Sequence, residues 1–334
     1  MKYKTLWLLL GLMGTVWAAD VPVYEVQPFP EVPLPITRSR WNYYRYIRFR
    51  GDRLLILDQA KNLTSTDITL FKNGRPVLDL HQPGAVQGNL CETGLVLTSD
   101  TQLVHMDDNG RTIHRRSLKP AAGTVLFVVC SKNGVFISHF KDHNVTFAFY
   151  PWNGSPRSFE TIPPSVCWSR AIVCEFEGFP DFDDIAFLFV RSQGYILDAR
   201  VTPPVVVPLD KIFMEYPAIF RMWPIVWEGK KAFLIESART RVRRLPEDVR
   251  RSSRVPIPAH GMFLQDAGAI VVDLKGHVLG RIRRTRDFSP LDLKTSNTTG
   301  TALYVLIEPT ILPQNPNYRL RRFNVIPPQF SQSR

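Results

Sequence analysis

The 334 residues contain no G-x-S-x-G elbow, no H-E-x-x-H pair, no P-loop and no dinucleotide fingerprint. Those absences argue against an α/β-hydrolase, a zincin, a P-loop NTPase and a Rossmann dehydrogenase, and against nothing else. Cysteine is scarce, with four residues and no C-x-x-C, so neither a thioredoxin-type redox motif nor a zinc ribbon is written here. No helix-period segment of useful length occurs, which argues against helical and α/β folds. Apart from Leu6–Val16 there is no long apolar run. That run is eleven residues, well short of the ~20 that span a bilayer as a helix. Acidic residues are outnumbered, 30 against 42 Lys and Arg.

What is present begins with Lys2 and Lys4, then the apolar run, then Val16-Trp17-Ala18 with small residues at the positions a signal peptidase reads. This is the order of a secretory signal peptide, predicted over residues 1–18. The mature chain, 19–334, is then expected as a single domain in the periplasm or secreted, with no transmembrane segment after cleavage. Removing Lys2 and Lys4 takes the formal charge from +12 to +10. Such a balance attracts anionic partners. Outside the cytoplasm these are acidic proteins, envelope surfaces and acidic glycans; nucleic acid is not expected. Cys91, Cys130, Cys167 and Cys174 allow three pairings. Cys167 with Cys174 closes a short loop, and Cys91 with Cys130 then joins adjacent repeats.

A unit recurs along the chain. An apolar strand such as Leu54–Leu57, Gly94–Leu97 or Val135–Ser138 is followed by a second strand, a glycine turn and a third strand. The turn glycines are Gly74, Gly110, Gly154, Gly194 and Gly276, spaced 36, 44, 40 and 82. A period near 40 fits four-stranded units, and Asn-Gly is a strong hairpin signal. A degenerate unit is placed at about Ala218–Arg243, and a last one over Ala302–Ile307 and Tyr318–Val325. The stretch Val21–Pro35 or the C-terminal strand is available to complete it.

By repeat and turn the chain resembles the broad β-propeller superfamily, with no specific family indicated. The resemblance implies an all-β ring of about seven blades. Six or eight blades, or tandem β-sandwiches, fit the same short strands. The WD signature is absent. Asp108–Ile113 resembles part of a sialidase Asp-box, but Met106 and Ile113 stand where that pattern has a hydroxyl and an aromatic.

Arginine is the sharpest feature. Arg239, Arg241 and Arg243 are two apart, hence on one face of a strand. Arg244 follows, then Arg281 and Arg283. Between Ile235 and Arg286 there are twelve basic and five acidic residues. Arginine grips phosphate and carboxylate with two parallel donors, so these six positions are the candidate anion-binding set. Blade repetition predicts the two tracts one blade apart. A second tract, Arg38–Arg53, interleaves six arginines with aromatics. There the aromatics are expected to pack and the arginines to stay wet. The acids of Asp107–Asn109 and Glu175–Asp184 are expected as solvated loop charge. The scattered histidines have no metal spacing, since His139 and His143 stand ~13 Å apart on a strand. No metal or cofactor is expected.

The first functional expectation is a non-catalytic binding or scaffold protein with an arginine-rich face. The alternative is a hydrolase or lyase acting on an acidic glycan or lactone at the channel mouth. Inward-facing His, Asp, Glu and Arg converging at one mouth distinguish the second from the first.

Overall fold

The computed structural model describes residues 22–28, 32–33, 43–119, 123–142, 144–159, 174–190, 193–210, 212, 219–244, 260–282, 295–299, 302–307 and 319–326. The described elements are all β-strands. Two come first: β1 (Val23–Pro28) and β2 (Val32–Pro33). The first sheet holds β3 (Tyr43–Arg50), β4 (Arg53–Ala60), β5 (Ser65–Lys72) and β6 (Arg75–Pro83). The second holds β7 (Gln87–Leu90), β8 (Leu95–Thr98), β9 (Gln102–Met106) and β10 (Thr112–Ser117). The third holds β11 (Thr124–Cys130), β12 (Gly134–Lys141), β13 (Asn144–Pro151) and β14 (Arg157–Ser158). The fourth holds β15 (Cys174–Gly178), β16 (Ile185–Val190), β17 (Gln193–Asp198) and β18 (Val205–Pro208).

The remaining strands form one continuous path. β19 (Ile219–Trp227), β20 (Lys230–Arg244), β21 (His260–Asp273) and β22 (Val278–Ile282) run in order. β23 (Thr295–Thr299), β24 (Ala302–Ile307) and β25 (Arg319–Ile326) also run in order. Between them lies β1, antiparallel to β25 over Glu25–Pro28 and parallel to β22 at Val23 and Tyr24. Within each sheet consecutive strands are antiparallel hairpin neighbours. Counting β1 with β23–β25, there are six runs of four strands.

Burial explains the strand sequences. Second strands are apolar without alternation: Leu54–Leu57, Leu95–Leu97 and Ile185–Phe189 are all buried. Each is covered on both faces, because each core lies between two successive sheets. In the fourth sheet Ala186 and Leu188 pack toward the third, while Ile185, Phe187 and Phe189 pack toward β19–β22. Fourth strands lie at the rim, and β6 alternates between exposed and half-buried positions accordingly. Side chains that interdigitate from facing sheets are what hold the stack together.

The first strands lie against one another in series. β3 meets β7, β7 meets β11, β11 meets β15, β15 meets β19, β19 meets β23, and β23 meets β3. The architecture is all-β and propeller-like.

The turn glycines do not all mark equivalent hairpins. Asn73 and Gly74, with φ of 50° and 74°, make the tight turn between β5 and β6 that Asn-Gly favours. Gly110, Gly154 and Gly276 lie between third and fourth strands as well. Gly194 instead lies at the start of β17, between second and third strands. Gly276 closes a sheet whose β20 and β21 are 15 and 14 residues long. The spacing of 82, read as two units, therefore spans mostly one elongated sheet. The described strands supply six runs where the spacing predicts about seven. The predicted unit at Ala218–Arg243 is the first half of that sheet. Arg239–Arg244 and, of the second tract, Arg281 consequently share one sheet, on β20 and β22, rather than lying one blade apart.

Candidate functional site

One end of the strand series is laced together by polar contacts between neighbouring sheets. Arg53, at the β3–β4 turn, donates to Cys91 O at 2.7 Å, to Gly94 O, and to Asp108 Oδ1 at 2.7 Å. Lys72 reaches the other oxygen of Asp108 at 3.3 Å. Cys91 and Cys130 are disulfide-bonded, joining the second sheet to the third as the spacing suggested. Asp184 accepts from Ser131 Oγ at 2.8 Å and Asn133 Nδ2 at 2.9 Å, joining the third to the fourth. Lys231 then pairs with Asp181 and, at 3.0 Å, with Asp183. Burial pushes the Asp183 carboxyl up, but the Lys231 and Arg200 cations outweigh it and hold it below the usual carboxylate range.

Arg50 makes the longest connection. It ends β3, yet its Nη1 donates to Phe179 O at 2.7 Å, just past β15, and its Nη2 to the O of Gly178, the last residue of β15, at 3.2 Å. The guanidinium lies 4.3 Å from the centroid of the Phe182 ring. In the series of first strands, β7 and β11 stand between β3 and β15 on one side, and β19 and β23 on the other. A side chain joining β3 to β15 therefore crosses the space that the first strands flank. Gly178 permits the close approach of β11 rather than of Arg50: a Cβ there would meet Val129 Cγ1 at 2.9 Å but Arg50 Nη2 at an ordinary 3.7 Å. Burial pulls the Arg50 guanidinium down to about 10. Burial also pushes the neighbouring Glu177 carboxyl up, against the opposing pull of Arg48 and Arg50.

These contacts correct two expectations. Arg45 pairs with Asp58 at 2.6 Å, while Arg50 and Arg53 are drawn into the frame, so those three arginines are not simply wet. The reason is supply and demand for donors: strand ends present carbonyls without ladder partners, and one guanidinium can satisfy several. The acids at Asp108, Asp181, Asp183 and Asp184 are likewise bonded across sheets rather than simply solvated. Asp107 Oδ1 caps its own turn, accepting from Asn109 N and Arg111 N at 2.9 Å each. No sequence motif announces Arg50, Arg53 or Asp184, because their partners lie 128 and 129, 38 to 55, and 51 to 53 residues away.

A ring cluster joins the second and third sheets. Trp152 stacks on His105 at 4.8 Å and on His114 at 5.0 Å between centroids. His105 Nε2 lies 2.8 Å from Thr93 O, and burial lowers its pKa. His139 is buried against the Tyr150 hydroxyl at 2.9 Å, and burial lowers its pKa too. His143 lies outside the described residues.

The arginine set has a distinct backbone setting. The described residues of β19 pair with β20 as far as Ser237, and those of β22 pair with β21 over Ala269–Val272. The β20–β21 ladder continues past both, from Arg239↔Gln265 to Arg244↔His260. A register shift separates Ser237 from Arg239 along that ladder. Among the described residues this ribbon has two strands and no third. Arg239, Arg241, Arg243 and Arg244 all fall on it. Arg281 lies exposed on β22, opposite Ile270 and beside Val23. Arg283 and Cys167 lie outside the described residues, and Cys174 lies on β15. No helix among the described residues is long and apolar enough to cross a membrane.

No family model and no curated protein matches the chain. Solved structures with similar folds include Hsv2 of Kluyvelomyces marxianus, at 12% identity and TM-score 0.40 over 79% of this chain and 68% of that one. PorZ of Porphyromonas gingivalis, described as a bacterial surface component of the type-IX secretion system, matches at 14% and 0.41 over 84% and 46%. Glutaminyl cyclase of Myxococcus xanthus matches at 8% and 0.34 over 92% and 100%. At such identities and TM-scores these likenesses assign no activity to this chain.

Proposed function

We propose that the chain is an exported, non-catalytic propeller of six blades that binds an acidic protein or an anionic envelope or glycan surface through its arginine-rich ribbon. Residues 19–334 are read as one domain. Six four-stranded runs, the return of β23 to β3, and the pairing of N-terminal β1 with β25 support the ring and its closure. Closing a ring with strands from both ends leaves no sheet edge at the seam. The signal-like start and the Cys91–Cys130 bridge support a periplasmic or secreted location, where disulfides persist.

The observation that carries the binding reading is the ladder beyond Ser237. It sets four arginines within six residues of one strand, with no carboxylate in either of the two paired segments. The test is affinity capture from the native envelope or secretome with wild type and an Arg239→Ser/Arg241→Ser/Arg243→Ser variant. A partner held by wild type, released by salt and lost by the variant is expected. A partner held equally by both would sink the reading.

A second reading, acid–base chemistry on an acidic glycan or lactone, is favoured by one observation: the raised Glu177 carboxyl beside Arg48 and Arg50. It requires turnover that Glu177→Gln abolishes while the fold is kept. Arg50 already donates to two backbone carbonyls, which weighs toward the binding reading.

A further inference from the structure

The ring cluster between the second and third sheets presents a flat aromatic surface. His105 and His114 oppose each other across the β9–β10 ladder, and their rings lie 5.7 Å apart at an interplanar angle of 16°. Trp152 is nearly parallel to both, at 14° and 9°. Rings on opposite faces of an indole would stand roughly 7 Å apart or more, two layers of van der Waals contact. The two imidazoles therefore lie side by side under one face of Trp152. The indole is fixed elsewhere as well. Its Nε1 donates to Lys132 O at 3.1 Å, and the Trp152 backbone N donates to Asn133 O at 2.8 Å. Trp152 is nonetheless only half-buried, and the face turned away from the imidazoles is what remains for solvent. A large ring already held in one orientation is preorganised, so a ligand that stacks on it costs little ordering.

Charge selects what stacks there. Arg116 reaches across the β13–β14 turn, donating to Pro151 O at 2.8 Å and to Gly154 O at 2.9 Å, before and after Trp152 in the chain. A guanidinium has more donors than these two. Lys132 is exposed on the neighbouring β11–β12 turn, and Asn153 and Ser155 are exposed beside the indole's own backbone. Asp184, the carboxylate bonded to the β11–β12 turn, is buried and taken up by Ser131 and Asn133. A cationic ligand would meet the π face but also Arg116 and Lys132. A sugar ring carries an apolar C–H face for the indole, and a uronic acid adds a carboxylate for the guanidinium. We propose that Trp152 and Arg116 form a binding site for an acidic oligosaccharide, with a pyranose ring stacked on the indole and its carboxylate on Arg116 and Lys132. This site lies on the second and third sheets and the arginine ribbon on β20 and β21, so the two fail separately.

The test titrates the full mature chain calorimetrically with trigalacturonate, with maltotriose as a neutral trisaccharide, and with capped triglutamate as an acidic chain without rings. Trigalacturonate should bind about tenfold more tightly than either of the others. Trp152→Ala should weaken it at least about tenfold and Trp152→Phe about threefold or less, because phenylalanine keeps an aromatic face. Arg116→Gln should bring trigalacturonate down to the level of maltotriose and leave maltotriose unchanged. Saturation-transfer NMR on the wild-type chain should carry magnetisation from the indole to the sugar's C–H protons, a readout that needs no variant to fold. Triglutamate bound as tightly as trigalacturonate overturns the stacking, and maltotriose bound as tightly overturns the carboxylate contact. Equal affinity of wild type and Trp152→Ala, absent transfer to the sugar, or no binding of trigalacturonate overturns the site. Loss of trigalacturonate in the Arg239→Ser/Arg241→Ser/Arg243→Ser variant, with Trp152→Ala unaffected, moves the sugar to the ribbon and overturns it as well.

Discussion

Arg50 concentrates the residue-scale argument. Replacing it with Met removes both donors from the Phe179 and Gly178 carbonyls and leaves Glu177 with Arg48 as its remaining nearby cation. Each buried polar group left without a partner costs ~1–3 kcal/mol, so Arg50→Met should destabilise by about 3 kcal/mol. The check is a urea titration, in which the midpoint falls and the slope stays constant. Arg50→Lys should recover less than half of the loss, because an ammonium cannot span two carbonyls as a planar fork does. The histidines set a pH dependence of known sign. Burial lowers both His105 and His139 below 6.5, so the unfolded chain takes up protons that the folded chain refuses. Stability should therefore fall as pH drops below 6.5 and continue falling until the folded-state values are passed. Thermal midpoints measured between neutral pH and about pH 5 should show this fall. A His105→Gln/His139→Gln variant should flatten it. Asp183 and Asp198 act in a separate window: their lowered values give stability that is lost as pH falls below 3.8.

At the scale of elements, β20 and β21 do two jobs. Their inner halves bury Phe233, Ile235, Val271 and Val272 between sheets. Their outer halves pair with each other over Arg239–Arg244 and His260–Gln265. A two-stranded ladder by itself is marginal in water, and the binding reading expects this pair to add little to global stability. Replacing residues 239–265 by a tight Asn-Gly turn should leave the thermal midpoint within about 2 °C, since surface changes away from the core stay small. The same replacement should remove partner capture. A large drop in midpoint would show instead that the ribbon is part of the core. Val205 and Val207 are exposed on β18, while Val206 packs inward.

For the whole molecule, the decisive contact is the pairing of β1 with β25. β1 brings Tyr24 into the core with Trp223, Trp227 and Phe323, and the Tyr24 hydroxyl donates to Glu228 at 2.7 Å. It also touches β22, so one strand ties two runs together. A mature chain that starts after Pro28 loses this strand and uncovers both neighbours. Such a chain should unfold at least 10 °C lower, or aggregate through the opened edges, as light scattering would record. If the truncated chain melts like the full one, the pairing of β1 with β25 is not what stabilises the fold.

Short-range information sufficed for the strands. Leu54–Leu57, Ala302–Ile307 and the Asn73-Gly74 turn were legible because apolar runs and turn chemistry are local properties of the chain. The bridge between Cys91 and Cys130 was legible because adjacent repeats place equivalent positions side by side. Grouping was less so: Gly194 and Gly276 look alike in sequence but close different hairpins, and only pairing distinguishes them. The reach of Arg50 to β15 was not legible at all, since its partners are backbone carbonyls 128 and 129 residues away. The alternation of Arg239, Arg241 and Arg243 could be read from the chain alone. That these positions face His260–Gln265 across a ladder was decided by tertiary pairing, because alternation along one strand does not say which segment lies beside it.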